Sequence, residues 1–305
     1  MNADIVAVMQ QAEARWGIRL KRKTAKEACG PCPFCHTATR DGFLVFADGG
    51  YWCRKCDAKG WVDENEPLSP AEQRLRRLEL EQHRAEIERR EMERRLSALE
   101  QMHQCTDHLA YHRNLDHHPE AVNYWLSEGV HAATIARYKL GYCPSCPTAP
   151  GHASYTIPVM AQGKLYNIRH RLAAPTGGGK YRPHMAGLPA MIFNADDLLA
   201  NADSILLLEG EKKSLVVGQE TGLPNVAIMG MQSFKPRWAS KLARFKTVYV
   251  CYDPDAIDKA AETAALFKGR GRVVDLPVKA DDFFVRFGAC ADDFMLYLER
   301  AKAVA

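Results

Sequence analysis

The stretch SILLLEGEKKSL, Ser204 to Leu215, decides how the C-terminal part of this 305-residue chain is read. An apolar run from Ile205 to Leu208 stops at Glu209 and Gly210. A polar segment, Glu211-Lys212-Lys213-Ser214, then leads into Leu215, Val216 and Val217. Consecutive apolar residues bounded by a charge and a glycine predict a strand buried on both faces. The glycine lets the chain turn into a helix, which leaves Glu209 at the carboxyl end of the strand. Open α/β sheets bind ligands at that edge. Taken alone, a surface carboxylate in a strand-to-helix turn is the plainer reading.

The chain beyond this stretch alternates. A helix to Thr221 and Gly222 leads to a strand from Asn225 to Met229 and then Gly230; a further strand, Thr247 to Tyr252, runs into Asp253-Pro254-Asp255. A helix from Ile257 to Phe267, Gly269, a strand from Arg272 to Leu276 and the run Lys279-Ala280-Asp281-Asp282 follow. Short apolar strands alternating with helices predict a parallel sheet with right-handed crossovers. Glu209 and Asp253 then share one sheet edge, Asp255 joins them on the loop, and Asp281 and Asp282 reach the rim. Clustered carboxylates repel one another unless a cation sits among them. Oxygen ligands select Mg²⁺ or Mn²⁺, which suit metal-assisted nucleotidyl transfer or nuclease chemistry.

Upstream, two short helices are predicted, Glu120 to Ser127 and His131 to Tyr138, the first stopped by Gly129. From Gly129 to Ala195 there is no Asp or Glu, while Arg137, Lys139, Lys164, Arg169, Arg171, Lys180 and Arg182 are present. An acid-free basic segment is the footprint of a polyanion-binding face, with Tyr166, His170 and Tyr181 as stacking groups. Gly177-Gly178-Gly179-Lys180 lacks the first Gly and the Ser/Thr of a phosphate-binding P-loop and reads as a loop. Cys143-Pro144-Ser145-Cys146 has only His152 nearby and does not read as a second zinc site.

Nearer the N-terminus, Cys32-Pro33-Phe34-Cys35 and Cys53-Arg54-Lys55-Cys56 are two C-x-x-C pairs separated by seventeen residues. Two such knuckles complete a tetrahedral Zn²⁺ site, and the strands predicted between them, joined at Asp48-Gly49-Gly50, make a zinc ribbon. Cys29 and His36 read as bystanders. Residues 1–60 carry ten Lys/Arg against six Asp/Glu. Arg40, Arg54, Lys55 and Lys59 are interleaved with Phe43, Phe46, Tyr51 and Trp52, a pattern suited to single-stranded nucleic acid, although some of these rings must form the ribbon's core.

Ser69-Pro70-Ala71-Glu72 predicts a helix start. From Ala71 to Gln104 there is no Gly or Pro, and eight Arg balance eight Glu. Its single weak heptad seam argues for a solvated linker rather than a coiled coil. Ten cysteines without an evident signal peptide or membrane-length apolar run predict a cytoplasmic protein that ligates metal rather than forming disulfides. The 47% hydrophobic fraction and net charge of +4 suit a soluble, mildly basic protein. Expected domains are a zinc ribbon (1–66), a charged helical linker (67–106), a basic α+β subdomain (107–200) and a Rossmann-like parallel sheet (201–305).

Glu209-Gly210 and Asp253-Pro254-Asp255 resemble the glutamate and DxD motifs of Toprim domains. CPFC…WCRKCDAKG resembles the zinc ribbon of bacterial and phage primases. Ala121 to Pro144 resembles the opening of the primase catalytic core, and Asp275 to Gly288 the end of its Toprim domain. The resemblance implies a DNA primase making short RNA primers on single-stranded DNA from NTPs, in a minimal phage or mobile-element form served by a helicase in trans. It further implies structural Zn²⁺ and catalytic Mg²⁺ or Mn²⁺. On this reading Glu209 acts as general base or metal organiser, and Asp253 and Asp255 hold divalent ions. Lys212, Arg169, Arg171, Lys180 and Arg182 grip triphosphate or template. Three features depart from the family: Lys213 replaces an acidic residue four positions after Glu209, Asp258 replaces a glycine, and the chain ends soon after the last Toprim helix. A non-catalytic template-binding module and a Toprim nuclease are the alternatives.

Overall fold

The computed structural model describes residues 5–35, 42–62, 70–174, 179–229 and 234–303. His36, Arg40, Ser69, Gly177, Gly178 and Gly230 lie outside them. The chain divides into two compact units, Met1–Arg94 and Arg95–Ala305.

In the first unit, helix α1 (Ile5–Trp16) precedes an antiparallel meander: β1 (Lys21–Arg22), β2 (Glu27–Gly30), β3 (Phe43–Phe46), β4 (Gly50–Cys53) and β5 (Lys59–Trp61). Trp16, Phe34, Phe43 and Tyr51 converge with ring centroids 5.0–6.0 Å apart and form its small core together with Val8, Ala12 and Val45. Two of the aromatics interleaved with base, Phe43 and Tyr51, are therefore core residues. Helix α2 (Pro70–Gln104) spans the boundary between the units. Within the first unit Arg84 Nε donates to the Phe34 carbonyl at 3.0 Å, beside a cysteine knuckle, and Lys55 Nζ lies 3.8 Å from Glu91 Oε1. Over this stretch the helix packs against the ribbon rather than standing free.

The second unit continues with α3 (Asp107–Arg113), α4 (Pro119–Ser127) and α5 (Ala132–Tyr138). A four-stranded antiparallel sheet follows: β6 (Gly141–Cys143), β7 (Ser154–Ala161), β8 (Lys164–Leu172) and β9 (Tyr181–Pro183). Met102, from the end of α2, is fully buried against Leu165 and Ile168 of β8.

Next comes the sheet predicted from the leucine run. It comprises β10 (Ser204–Glu209), β11 (Asn225–Ile228), β12 (Thr247–Cys251), β13 (Gly271–Val273) and β14 (Lys302–Ala303), in spatial order β11-β10-β12-β13-β14. The first four strands are parallel and β14 runs antiparallel to β13. Helix α6 (Glu211–Thr221) connects β10 to β11, α7 (Ile257–Ala265) connects β12 to β13, and α8 (Ala280–Val285) and α9 (Ala291–Glu299) follow.

The period of two explains the unbroken apolar run. Leu206 and Leu208 face one core with α6, α8 and α9 residues, while Ile205 and Leu207 face a second core containing Trp238, Phe245, Ala260 and Phe267. Each fully buried leucine contributes about 1.5–3 kcal/mol. Gly210 turns the chain between β10 and α6 with φ +91°, a conformation that disfavours any side chain, while its amide donates to the Ile228 carbonyl at 2.7 Å. No helix among the described residues is long and apolar enough to cross a membrane.

Candidate active site

The parallel register pairs Leu208 of β10 with Cys251 of β12, so Glu209 comes level with Tyr252 and Asp253 stands one residue beyond. Both carboxylates therefore leave adjacent strands at the same carboxyl edge. Asp281 and Asp282 arrive in the first turn of α8, which packs on α6. Asp281 is buried, Asp282 is half-buried and tied to Arg286 at 3.0 Å, and Asp255 and Asp258 are exposed.

Lysines, not bare carboxylate neighbours, fill this edge. Lys213 Nζ stands 2.6 Å from Asp253 Oδ1, in an alignment that leaves this buried oxygen without a proper hydrogen bond. Lys279 Nζ lies 3.3 Å from Asp253 Oδ2. Lys212 reaches Asp281 Oδ2 at 2.7 Å and also pairs with Glu128. Arg171 approaches Glu128 at 3.8 Å, and Arg169 Nε donates to the buried Glu211 at 3.0 Å. The buried Oε2 of Glu209 has no hydrogen-bond partner.

The titration behaviour follows from these pairings. Burial alone would raise the Asp281 carboxyl, but the Lys212 ammonium outweighs it and holds the group below the usual range. Burial likewise pulls Lys212 down, and Asp281 with Glu128 keeps it above its ordinary value. Asp253 raises Lys279. Partial desolvation and the positive charges of Arg171, Lys212 and Lys279 lower Lys180, the mark of a locally electropositive surface.

As arranged, the carboxylates do not form a ready divalent-cation site. Both oxygens of Asp253 face ammonium groups, and among the described residues no three carboxylate oxygens lie within 4.8 Å of one another. Lys213 and Lys279 together occupy the Asp253 carboxylate at this edge.

The basic segment is divided by the pleat. Arg169 and Arg171 share one face of β8, with Tyr181 directly opposite Arg171; Arg169 lies 5.3 Å from the Tyr181 ring and Arg171 4.9 Å from that of Tyr124. Arg182 stands opposite His170 and so belongs to the other face. Arg137 and Lys139 are exposed at the end of α5, and Lys180 is exposed beside β9.

In the ribbon, Cys32, Cys35, Cys53 and Cys56 bring their sulfurs together. The Cys32–Cys56 and Cys35–Cys53 separations are both 3.8 Å. A tetrahedron with Zn–S bonds of ~2.3 Å has an edge of about 3.8 Å, so the set fits Zn²⁺. Burial pushes up the thiols of Cys32 and Cys56, the latter to about 12, and a bound cation is what would hold them as thiolates. Cys29 lies outside this group, while the Cys143 thiol bonds to the Ser145 carbonyl at 3.1 Å. Trp52, Lys59 and Trp61 share one face of β4–β5; the two rings are 37% and 55% exposed.

The long-range partners Glu128, Glu211 and Lys279 were not singled out from sequence. Lys279 was visible beside Asp281, but nothing local announced its pairing with Asp253.

No protein-family model matches the chain, and no curated protein does. Solved structures do match: a zinc ribbon and a catalytic-core sheet in this order are the fold of bacterial primases. The zinc-binding and RNA polymerase domains of Aquifex aeolicus primase align over 99% of this chain and 86% of that one, with a TM-score of 0.55 and 17% identity. The E. coli primase catalytic core covers 67% and 80% respectively (TM-score 0.54, 19% identity). A DnaG primase catalytic domain bound to single-stranded DNA covers 69% and 81% (TM-score 0.56, 18% identity). At these identities the likeness is one of fold.

Proposed function

We propose that this chain is a DNA primase, synthesising short RNA primers on single-stranded DNA by nucleotidyl transfer from Mg²⁺- or Mn²⁺-bound nucleoside triphosphates. The observation that carries this reading is the meeting of Glu209 and Asp253 at one strand edge, beside Arg169 and Arg171, in a fold shared with primase cores. A divalent ion entering with the nucleotide would have to draw Lys213 and Lys279 off Asp253 before Glu209, Asp253 and Asp255 could hold it. The unpartnered Oε2 of Glu209 is suited to take the proton from the primer 3′-hydroxyl as its oxygen bonds to the α-phosphorus and pyrophosphate leaves. Lys212, Lys213 and Lys279 would offset the triphosphate charge, and Arg169, Arg171 and Lys180 would hold triphosphate or template. Unwound template would be supplied by a helicase partner, as the resemblance to primases implies.

One observation is shared with the reading of a template-binding module without chemistry: Lys213 occupies Asp253. The Asp253→Asn variant tests the proposal. It is expected to retain single-stranded DNA binding and to lose primer synthesis; lost binding with intact synthesis per bound template would contradict the role. Metal-driven cleavage of DNA in place of synthesis would point to a nuclease.

A further inference from the structure

The second unit holds another group of metal-type donors, unrelated to the carboxylate edge. Cys105 and Asp107 flank Thr106 at the break between α2 and α3, and His184 follows β9. The Cys105 sulfur, an Asp107 carboxylate oxygen and a His184 ring nitrogen lie within 4.8 Å of one another. Asp107 Oδ2 is 3.4 Å from His184 Nε2. This exceeds the ~2.7–3.2 Å of an N–H···O hydrogen bond. It equals the edge, about 3.4 Å, of a tetrahedron with Zn–N and Zn–O bonds of ~2.0–2.2 Å.

The other nitrogen of His184 is held from behind. His184 Nδ1 is 3.1 Å from His170 Nε2, and His170 Nδ1 is 2.9 Å from Ser154 Oγ. His170 and Ser154 are fully buried, and the two imidazoles stack at 15° with centroids 5.4 Å apart. Two ring nitrogens at hydrogen-bond distance share one proton. If His184 supplies it, His170 Nε2 accepts and the His170 Nδ1–H donates a hydrogen bond to Ser154 Oγ. His184 Nε2 then presents a lone pair toward the Asp107 carboxylate and the Cys105 sulfur. Three electron-pair donors facing one another call for a cation, and a buried relay behind the histidine is the usual support of a metal-ligating imidazole.

We propose that Cys105, Asp107 and His184 form a second metal site, with its fourth position open to water. The mixed sulfur, nitrogen and oxygen set selects Zn²⁺ or a similar borderline transition ion over Mg²⁺ or Ca²⁺. The exposed Asp107 gives the ion a path from solvent. Bound metal would clasp the start of α3 to the segment after β9, on the sheet face opposite Arg169 and Arg171.

Zinc stoichiometry tests the site. The full chain is loaded with Zn²⁺, freed of loose metal by gel filtration and analysed by elemental mass spectrometry. Two equivalents are expected in the wild type and one in each of Cys105→Ser, Asp107→Asn and Cys53→Ser. In the Cys53→Ser chain, Co²⁺ in place of zinc should give a thiolate charge-transfer band that disappears on adding Cys105→Ser. His170→Gln should keep the second equivalent but weaken it roughly 10–100-fold against a chelator. A single equivalent in the wild type, or a second one that survives both Cys105→Ser and His184→Ala, overturns the proposal. The wild-type count decides the matter even where a variant fails to fold.

Discussion

At the scale of single residues, the carboxylate edge is governed by which ammonium group each acid holds. Lys213 sits 2.6 Å from Asp253, where a divalent ion would otherwise be drawn. Lys213→Ala is therefore expected to raise Mn²⁺ affinity at this edge roughly tenfold or more, since a neighbouring unit charge is worth ~1–4 kcal/mol at 4 Å. Calorimetric titration of wild type and variant checks this, and unchanged affinity would show that Lys213 does not compete with metal. Asp281 makes a pH prediction. Its folded pKa is depressed by Lys212, so its stabilising contribution is present above the unfolded value of ~3.9 and is lost as pH falls through the folded value. Asp281→Asn should cost about 3 kcal/mol at pH 7 by leaving Lys212 short of a partner. It should also flatten the fall of stability below pH ~4, read by urea unfolding across pH. Glu209 and Asp253 were legible because each ends an apolar run. The pairings with Glu128 and Lys279 were not, because they join residues far apart in sequence and no local pattern encodes them.

Among the elements, β10 was the most legible, since an apolar run this short, closed by Glu209-Gly210, favours a strand with a core on each side over a buried helix. The β7–β8 hairpin was passed over. Its turn, Gln162-Gly163, has both residues at positive φ, and the signal lay in that dipeptide rather than in the charge pattern that drew attention to the region. The same hairpin explains why Arg182 parts from Arg169 and Arg171: alternation along the strand sends it to the other face. On the ribbon, the pleat places Trp52, Lys59 and Trp61 together facing outward. Trp52→Ala and Trp61→Ala should each weaken single-stranded DNA binding by ~1–3 kcal/mol per lost stacked base, measured by fluorescence anisotropy. Phe43, at the ribbon's core, should behave differently and affect folding first. Zinc removal by a chelator is expected to abolish hydrogen-exchange protection in β2–β5, because metal binding supplies ~10–16 kcal/mol in modules of this kind.

For the molecule as a whole, a ribbon with four converging thiols and a parallel sheet with two carboxylates at one edge come together in a fold shared with primase cores. Both were legible from spacing and hydrophobic patterning, whereas the lysine-filled state of the edge emerged only from the packing of α6 and α8. The basic residues should make single-stranded DNA binding strongly salt-dependent, with log K falling linearly against log salt at about 0.7 per phosphate neutralised. Arg171→Ala should lower that slope by about 0.7 if it meets template phosphate, and a slope unaffected by salt would exclude a phosphate-led interface. The most direct measurement is primer synthesis by the zinc-loaded chain on a library of single-stranded templates, with NTPs, Mg²⁺ or Mn²⁺ and a candidate helicase. Short, template-dependent oligoribonucleotides that disappear with Asp253→Asn are expected. No product on any template, from a chain that binds those templates and retains its zinc, would contradict assignment of the edge as a polymerising site.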